Sequence, residues 1–316
     1  MDGLLPRDRV GLVGTGMVGA TFAYALLQSG LANELVLVDR DAARAEGEAM
    51  DLNHGMPFVR PVQIHAGGFE MLAGCDLVVI TAGASQRPGQ TRLDLLRANA
   101  GVIREVVPQV VAANPGGVIL VASNPVDILT QIAADLAGLP SGRVFGSGTI
   151  LDTARFRFLL GKHYGVDSRS VHAHIVGEHG DTELPVWSLA TLAGIPIRDV
   201  AGPDGLAPDH DSLDAIFERT RTAAYEIIER KQSTYYAIGL GLRAIVEAVL
   251  RDQNTVLTVS TPMRGAFGVE GIALSLPTVV GHGGAELVLE IPMSPAEVAA
   301  FRHSAETLRA QLAAIG

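Results

Sequence analysis

The sequence predicts an α/β protein: a doubly wound parallel sheet over residues 1–147, followed by an α+β unit over residues 148–316. Three observations predict it. Short runs of Val, Leu and Ile alternate with helical patterns through the first half, a glycine-rich turn follows the first run, and beyond residue 147 the pattern changes to longer helices and hairpin-like strands. Continuous apolar runs joined by crossover helices are what a sheet covered on both faces requires, because neither side of such a strand meets water.

Residues 10–13, 35–38, 77–80, 118–121 and the brief 144–145 read as buried parallel strands, with helices at 21–29, 42–54 and 94–112 between them. Residues 151–164 read as a helix, 170–176 as a strand, 202–212 as a polar connection, and 213–251 as helical throughout. Residues 255–260, 272–280 and 286–291 predict antiparallel strands, the last two joined by a Gly281-His-Gly-Gly284 turn, and 295–314 a closing amphipathic helix. In an open parallel sheet ligands bind outside the carboxyl ends of the strands. Those ends are where the loops at 14–19, 39, 81–91 and 123–127 begin.

Length and composition narrow the function. A chain of 316 residues that is 48% hydrophobic and 18% charged suits two domains with ample core. The formal charge of −10 opposes binding to phosphate backbones or anionic lipid, which excludes nucleic acid and membrane as expected partners and gives weight to any arginine beside an apolar pocket. Cys75 is the only cysteine, so neither an intrachain disulfide nor a thiolate metal cluster can form, and no metal site is expected. No apolar run approaches the ~20 residues that span a bilayer and no leader pattern opens the chain, so the expected location is the cytoplasm.

The glycine turn is Gly14-Thr-Gly16-Met-Val-Gly19, placed between an apolar run and a helical pattern, with Asp39 closing the next run twenty residues on. That context, more than the glycines alone, is the fingerprint of a dinucleotide-binding Rossmann fold: the backbone approaches a pyrophosphate at a helix N-terminus, and the acid takes the ribose hydroxyls. A carboxylate at 39 would repel a 2′-phosphate, so NAD is favoured over NADP, although Arg40 lies next to it.

A redox cofactor needs a polarised substrate, and the second half supplies one candidate group of residues. His179 stands in Glu178-His-Gly-Asp181, flanked by glycine, where Asp181 or Asp152 can fix its tautomer and raise its proton affinity, preparing a general acid for a carbonyl becoming an alcohol. Asp152 and Arg155 lie three apart on one helical face; the ordinary reading is an intrahelical ion pair, and the functional one a planar fork for a substrate carboxylate. The loop at 83–92 carries Gln86, Arg87 and Arg92 with Pro88 and Gly89, and reads either as a solvated turn or as a lid bringing Arg92 over a developing alkoxide. Asn124 ends the next strand in Ser123-Asn-Pro-Val-Asp127, able to bond a carbonyl or a cofactor amide.

Together these motifs resemble the lactate/malate dehydrogenase superfamily, and within it the bacterial L-lactate dehydrogenases, over essentially the whole chain. The matching stretches are the glycine fingerprint, Thr81-Ala-Gly83, Gln86-Arg-Pro-Gly-Gln-Thr-Arg92, Ser123-Asn-Pro-Val-Asp127, Gly146-Ser-Gly-Thr-Ile-Leu-Asp152-Thr-Ala-Arg155 and Gly177-Glu-His179-Gly-Asp181. The resemblance implies His179 as proton donor and acceptor, Asp152 as its partner, Arg155 as carboxylate clamp, Arg92 as the lid arginine, and Gln86, Asn124 and Thr234 in the substrate pocket. It implies NAD contacts at Gly14, Gly16, Val18, Gly19, Asp39, Arg44, Phe69, Gly83, Ala84, Ala122, Asn124 and Ser147. It also implies a homotetramer and, at a subunit interface, an effector site for fructose 1,6-bisphosphate using Arg157 and His172.

The chain departs from the family at Gln90, where Glu is common, and at Gln232, where Lys-Gly commonly precedes the pocket threonine. The resemblance implies that Gln86 faces the variable end of the substrate and so decides between pyruvate and oxaloacetate: a neutral amide cannot pair a second carboxylate, whereas a methyl needs no partner. Reversible NADH-dependent reduction of pyruvate to L-lactate is therefore the expected reaction. A malate dehydrogenase of similar type and a non-catalytic NAD-sensing module are the alternatives.

Overall fold

A computed structural model describes residues 8–84, 91–202, 205 and 210–315. The first half runs β1 (Arg9–Val13), α1 (Met17–Ser29), β2 (Glu34–Val38), α2 (Ala42–His54), β3 (Gln63–Ala66), β4 (Leu77–Ile80), α3 (Arg92–Ala113), β5 (Val118–Val121), α4 (Val126–Ala137) and β6 (Val144–Gly146). The second runs α5 (Ile150–Tyr164), β7 (Val171–His172), β8 (Ile175–Val176), β9 (Leu184–Pro185), β10 (Thr191–Leu192), β11 (Ile195–Pro196), α6 (His210–Lys231), α7 (Tyr236–Leu250), β12 (Thr255–Arg264), β13 (Glu270–Gly281), β14 (Gly284–Val288) and α8 (Pro295–Ala313).

β1 to β6 pair in parallel in the order β3-β2-β1-β4-β5-β6, with the chain reversing direction across the sheet between β1 and β4. The strands are apolar on both faces because each face has its own core. Val36 and Val38 of β2 join one and Leu35 and Leu37 the other, and β5 divides Ile119 and Val121 from Val118 and Leu120 in the same way. The doubly wound sheet expected from the apolar runs is thus present.

The three later strands extend that same sheet: β12 joins the edge of β6 antiparallel, at Ser260 opposite Gly146, and β13 and β14 follow. α7 lies against α1 so closely that a Cβ on Gly239 would sit 2.8 Å from Thr21 Cγ2. A third core, around Phe156, Leu160, Val171, Ile175 and Leu213, belongs to the second half alone.

Four expectations are corrected. β3 has no counterpart in the reading of apolar runs because it is an outer strand whose only buried residue is Ile64. α4 was not expected either: its polar Asp127, Thr130 and Gln131 are buried along with its apolar residues, so no solvent face marks the helical period. Residues 170–176 form two short strands in separate sheets, β7 with β10 and β8 with β9. Residues 213–251 are two helices, divided at 232–235, where Gln232 takes a left-handed backbone with φ +67°.

Candidate active site

Each loop at the carboxyl end of a central strand has a defined task. After β1, Gly14 holds φ +100°, and a Cβ there would meet the Ala82 backbone nitrogen at 2.5 Å. A Cβ on Gly19 would lie 2.0 Å from the Gly14 carbonyl, whereas one on Gly16 would meet nothing within 4 Å. Two glycines therefore pack the turn against its neighbours, and the third leaves the N-terminus of α1 open. That helix start has no side-chain cap and no acid in its first turn, so its free N–H groups suit a pyrophosphate.

Asp39 ends β2 and accepts hydrogen bonds from the Thr15 backbone at 2.7 Å, the Thr15 hydroxyl at 3.0 Å and the Asp41 backbone at 2.9 Å. Burial alone would favour its neutral form, but these bonds, with Arg44 nearby, hold its carboxyl below the usual range and keep it ionised. Val18 is half-buried on α1, Arg44 is exposed on α2 and Phe69 is half-buried beyond β3. Gly83 and Ala84 follow β4, where the Ala84 N–H donates to Asn99 Oδ1 at 2.7 Å; Ala122 and Ser147 follow β5 and β6, tied by backbone bonds to Ile80 and Val121. The open glycine, the uncapped helix and the ionised acid fit a dinucleotide.

Beside this cradle, α5 begins with Thr149 bonded to the Ile175 carbonyl, which fixes the helix start. Asp152, 2% exposed, sits in its first turn and receives His179 Nδ1 on Oδ2 at 2.5 Å and Arg155 Nη1 on Oδ1 at 2.8 Å. Burial opposes the charge on Asp152, yet the cationic partners keep it below the ordinary carboxylate range. For His179 burial likewise disfavours the cation, but Asp152 outweighs it, with help from Asp127 and Glu183, and the ring is pushed up to about 9. Of the two acids considered for His179, Asp152 therefore serves, and Asp181 does not contact the ring. The intrahelical Asp152–Arg155 pair is present, 13% exposed at the arginine, but it faces the site rather than solvent.

Asp181 instead holds Arg92 at 2.5 Å, and Tyr225 closes the group by donating to Asp181 at 2.7 Å and accepting from Arg92 at 2.9 Å. Arg92 is the first residue of α3, whose start is fixed by reciprocal bonds between Thr91 and Asp94. Arg92, Asp181, Tyr225, Asp152 and His179 line one pocket of about 240 Å³, together with Asn124, Arg155, Glu183 and Arg221. Thr234, half-buried between α6 and α7, is not in its wall, and Gln86 lies outside the described residues. Arg157, two residues past Arg155, turns away and donates to the Ala173 carbonyl at 2.9 Å, while His172 is exposed on β7.

Residues 8–146 match the NAD binding domain of lactate/malate dehydrogenases, and residues 149–315 match the alpha/beta C-terminal domain of the same enzymes. The chain belongs to the lactate/malate dehydrogenase family. It is 49% identical over 312 residues to the L-lactate dehydrogenase of Moorella thermoacetica, covering 98% of both chains, and 49% identical over 301 residues to that of Acetivibrio thermocellus, covering 95% of both. Its fold is similar to the crystal structure of the minor L-lactate dehydrogenase from Enterococcus mundtii, with a TM-score of 0.95 at 42% identity over 99% of each chain.

NAD is accordingly the cofactor of the first domain, and the chain is an oxidoreductase. Among the described residues, no helix is long and apolar enough to cross a membrane. Sequence reasoning missed four residues of this site. Glu183 reaches the pocket from the loop before β9, for which the sequence offered no reading, Arg221 and Tyr225 reach it from a stretch read only as helical, and Asp127 was quoted only as part of a turn. Its buried carboxylate accepts the His179 backbone N–H at 2.7 Å and the Ser260 hydroxyl at 2.6 Å, joining α4, the histidine loop and β12.

Proposed function

We propose that the protein interconverts pyruvate and L-lactate with NAD, using His179 as the proton donor and acceptor. The observation that carries this is the buried Asp152 carboxylate, which binds the imidazole and the Arg155 guanidinium on its two oxygens at one pocket wall. Nδ1 faces the acid, so Nε2 is the ring atom free to exchange a proton with substrate. Arg155 spends one of its five N–H donors on Asp152, and the rest of the planar fork suits a substrate carboxylate. Bound nicotinamide supplies or removes the hydride. In the reducing direction the His179 imidazolium gives its Nε2 proton to the carbonyl oxygen, while Asp152 stays ionised and stabilises the charged ring until that moment. Arg92 adds positive charge at the same oxygen once it leaves Asp181 and Tyr225.

The division at residue 147 then separates a cofactor half from a substrate half. The neutral Gln86 favours pyruvate over oxaloacetate, and Asn124 completes the substrate side, whereas Thr234, outside the pocket wall, is given no part in it. By the motif resemblance alone, we extend this to a cytoplasmic homotetramer in which Arg157 and His172 offer cationic groups for fructose 1,6-bisphosphate away from the substrate pocket. Loss of NADH absorbance with pyruvate and with oxaloacetate tests the reading: faster turnover of pyruvate is expected, and preference for oxaloacetate would make the protein a malate dehydrogenase instead.

A further inference from the structure

Glu183, immediately before β9, is a buried acid that the reaction described above does not use. It is 7% exposed, and its Oε1 has no hydrogen-bond partner among the described residues. Its carboxylate, that of Asp152 and the ring of His179 offer atoms that all lie within 4.8 Å of one another. A carboxylate taken out of water with one oxygen unpaired is strongly disfavoured, and a second anion beside Asp152 more so.

We propose that Glu183 is a third acid of the site: a carboxyl that stands neutral beside the Asp152–His179 pair and, by ionising together with the ring, governs how firmly His179 keeps its proton. It acts through the ring and is a positioning residue. The inference rests on His179 being the proton donor. Burial first, and the charge of Asp152 second, push the Glu183 carboxyl far above the usual carboxylate range, with His179, Arg155 and Arg221 offsetting this only in part. The groups facing it are Asp152 and Arg155 from α5, His179 and Glu178 from its own loop, Asp127 through His179 from α4, and Arg221 from α6; α8 brings the non-titrating Gln311 to the same pocket.

The chemical consequence is a balance of charge. With Glu183 neutral, the trio of Asp152, Arg155 and protonated His179 carries one net positive charge, which favours an anionic keto acid. When Glu183 ionises that surplus is cancelled, and the new anion holds the proton on His179 against the rising pH. The ring and the carboxyl therefore lose their protons over one broadened range.

The test is titration of the whole protein by NMR with labelled histidine rings and glutamate carboxyls. In the parent, one glutamate carboxyl is expected to titrate above neutral pH, with the His179 ring titrating over a broadened range. In Glu183→Gln that carboxyl signal should vanish and the ring midpoint should fall by about 1 pH unit, as for loss of one nearby anion, with Glu183→Asp restoring much of it. A role in packing alone would lower the melting temperature and leave the ring midpoint in place. Absence of an alkaline-titrating glutamate in the parent, or an unmoved ring midpoint in a folded Glu183→Gln, overturns the proposal. None of these readouts needs turnover, so they stand apart from whether pyruvate is the substrate.

Discussion

Replacing Asp152 with asparagine isolates what holds the proton on His179. The ring stands at about 9 against an ordinary 6.5, although burial works against its charge. That rise corresponds to about 3 kcal/mol in favour of the protonated ring, most of it from the carboxylate at 2.5 Å. Asparagine keeps the shape and removes the charge, so burial then acts against the cation with Asp127 the remaining nearby anion, Glu183 being neutral in this range, and the midpoint should fall to roughly 6.5 or below. Pyruvate reduction needs the charged ring. In the parent kcat/KM for pyruvate should hold to about pH 8 and decline through about 9, whereas in Asp152→Asn it should decline through about 6.5, leaving on the order of a tenfold loss at about pH 7.5 from protonation alone. Lactate oxidation needs the neutral ring, so its rise with pH should begin earlier in the variant. Stability carries the same sign: a group whose folded value lies above its unfolded one contributes fully below about 6.5 and loses that contribution as pH rises through about 9. The melting temperature of the parent should fall over that window more than that of the variant. Rate profiles against pH with NADH and pyruvate provide the assay, and an alkaline limb at the same pH in both proteins would refute the argument.

Gln86→Arg should raise kcat/KM for oxaloacetate and lower it for pyruvate, since a guanidinium pairs the added carboxylate and is left unpaired over a methyl; an unchanged ratio would remove Gln86 as the discriminator. Arg155→Lys keeps the charge and loses the fork, so KM for pyruvate should rise by roughly tenfold or more while NADH binding, followed by fluorescence, stays close to that of the parent. Gln232→Gly relieves a left-handed backbone at an exposed position and should raise the melting temperature by about 2 °C; a fall would mean the glutamine side chain makes a contact of its own. Fructose 1,6-bisphosphate should lower the pyruvate concentration for half-saturation at low enzyme concentration and lose that effect in Arg157→Gln, whereas identical curves in both proteins would leave the pair without an effector role.

Most of the sheet was legible because its central strands are covered on both faces and so carry unbroken apolar runs. The elements that escaped did so for opposite reasons. β3 is too exposed to show a run, having only Ile64 inside, and α4 is too buried to show a polar face. The break at 232–235 left no pattern, since glutamine is an unusual choice for φ +67°; the departure from the family at that residue was the available sign, and its backbone is where the substitution acts. Nor could pairing of β12 with β6 be read from either strand alone, because the join is fixed by burial shared between distant segments.

The site divides along similar lines. His179, Asp152, Arg155 and Arg92, which the structure brings to one pocket, were legible as candidates because transferring a proton and binding a carboxylate admit few residue types, and these stand in ordered motifs. Glu183, Tyr225 and Asp127 were not, because holding another group in place can be done by many residues at many positions. Asp127 illustrates the cost of that blindness. Its carboxylate is pushed up to about 6, burial prevailing over the bonds from Ser260 and the His179 backbone, and those two bonds fix the loop that presents the imidazole. The geometry of His179 is thus set from the far side of its own backbone, by an acid that is not part of the pocket wall. Arg92 shows the converse. Its proposed role follows from its motif, but its place in the structure, bound to Asp181 and Tyr225 with 74% of its side chain exposed, depends on a tyrosine of α6 whose pairing no sequence motif announces. An exposed pair of this kind contributes at most about 1 kcal/mol, small enough for a substrate carbonyl to compete for the same guanidinium. Asp181 and Tyr225 can therefore hold the arginine at the pocket rim without preventing its transfer to the reacting oxygen.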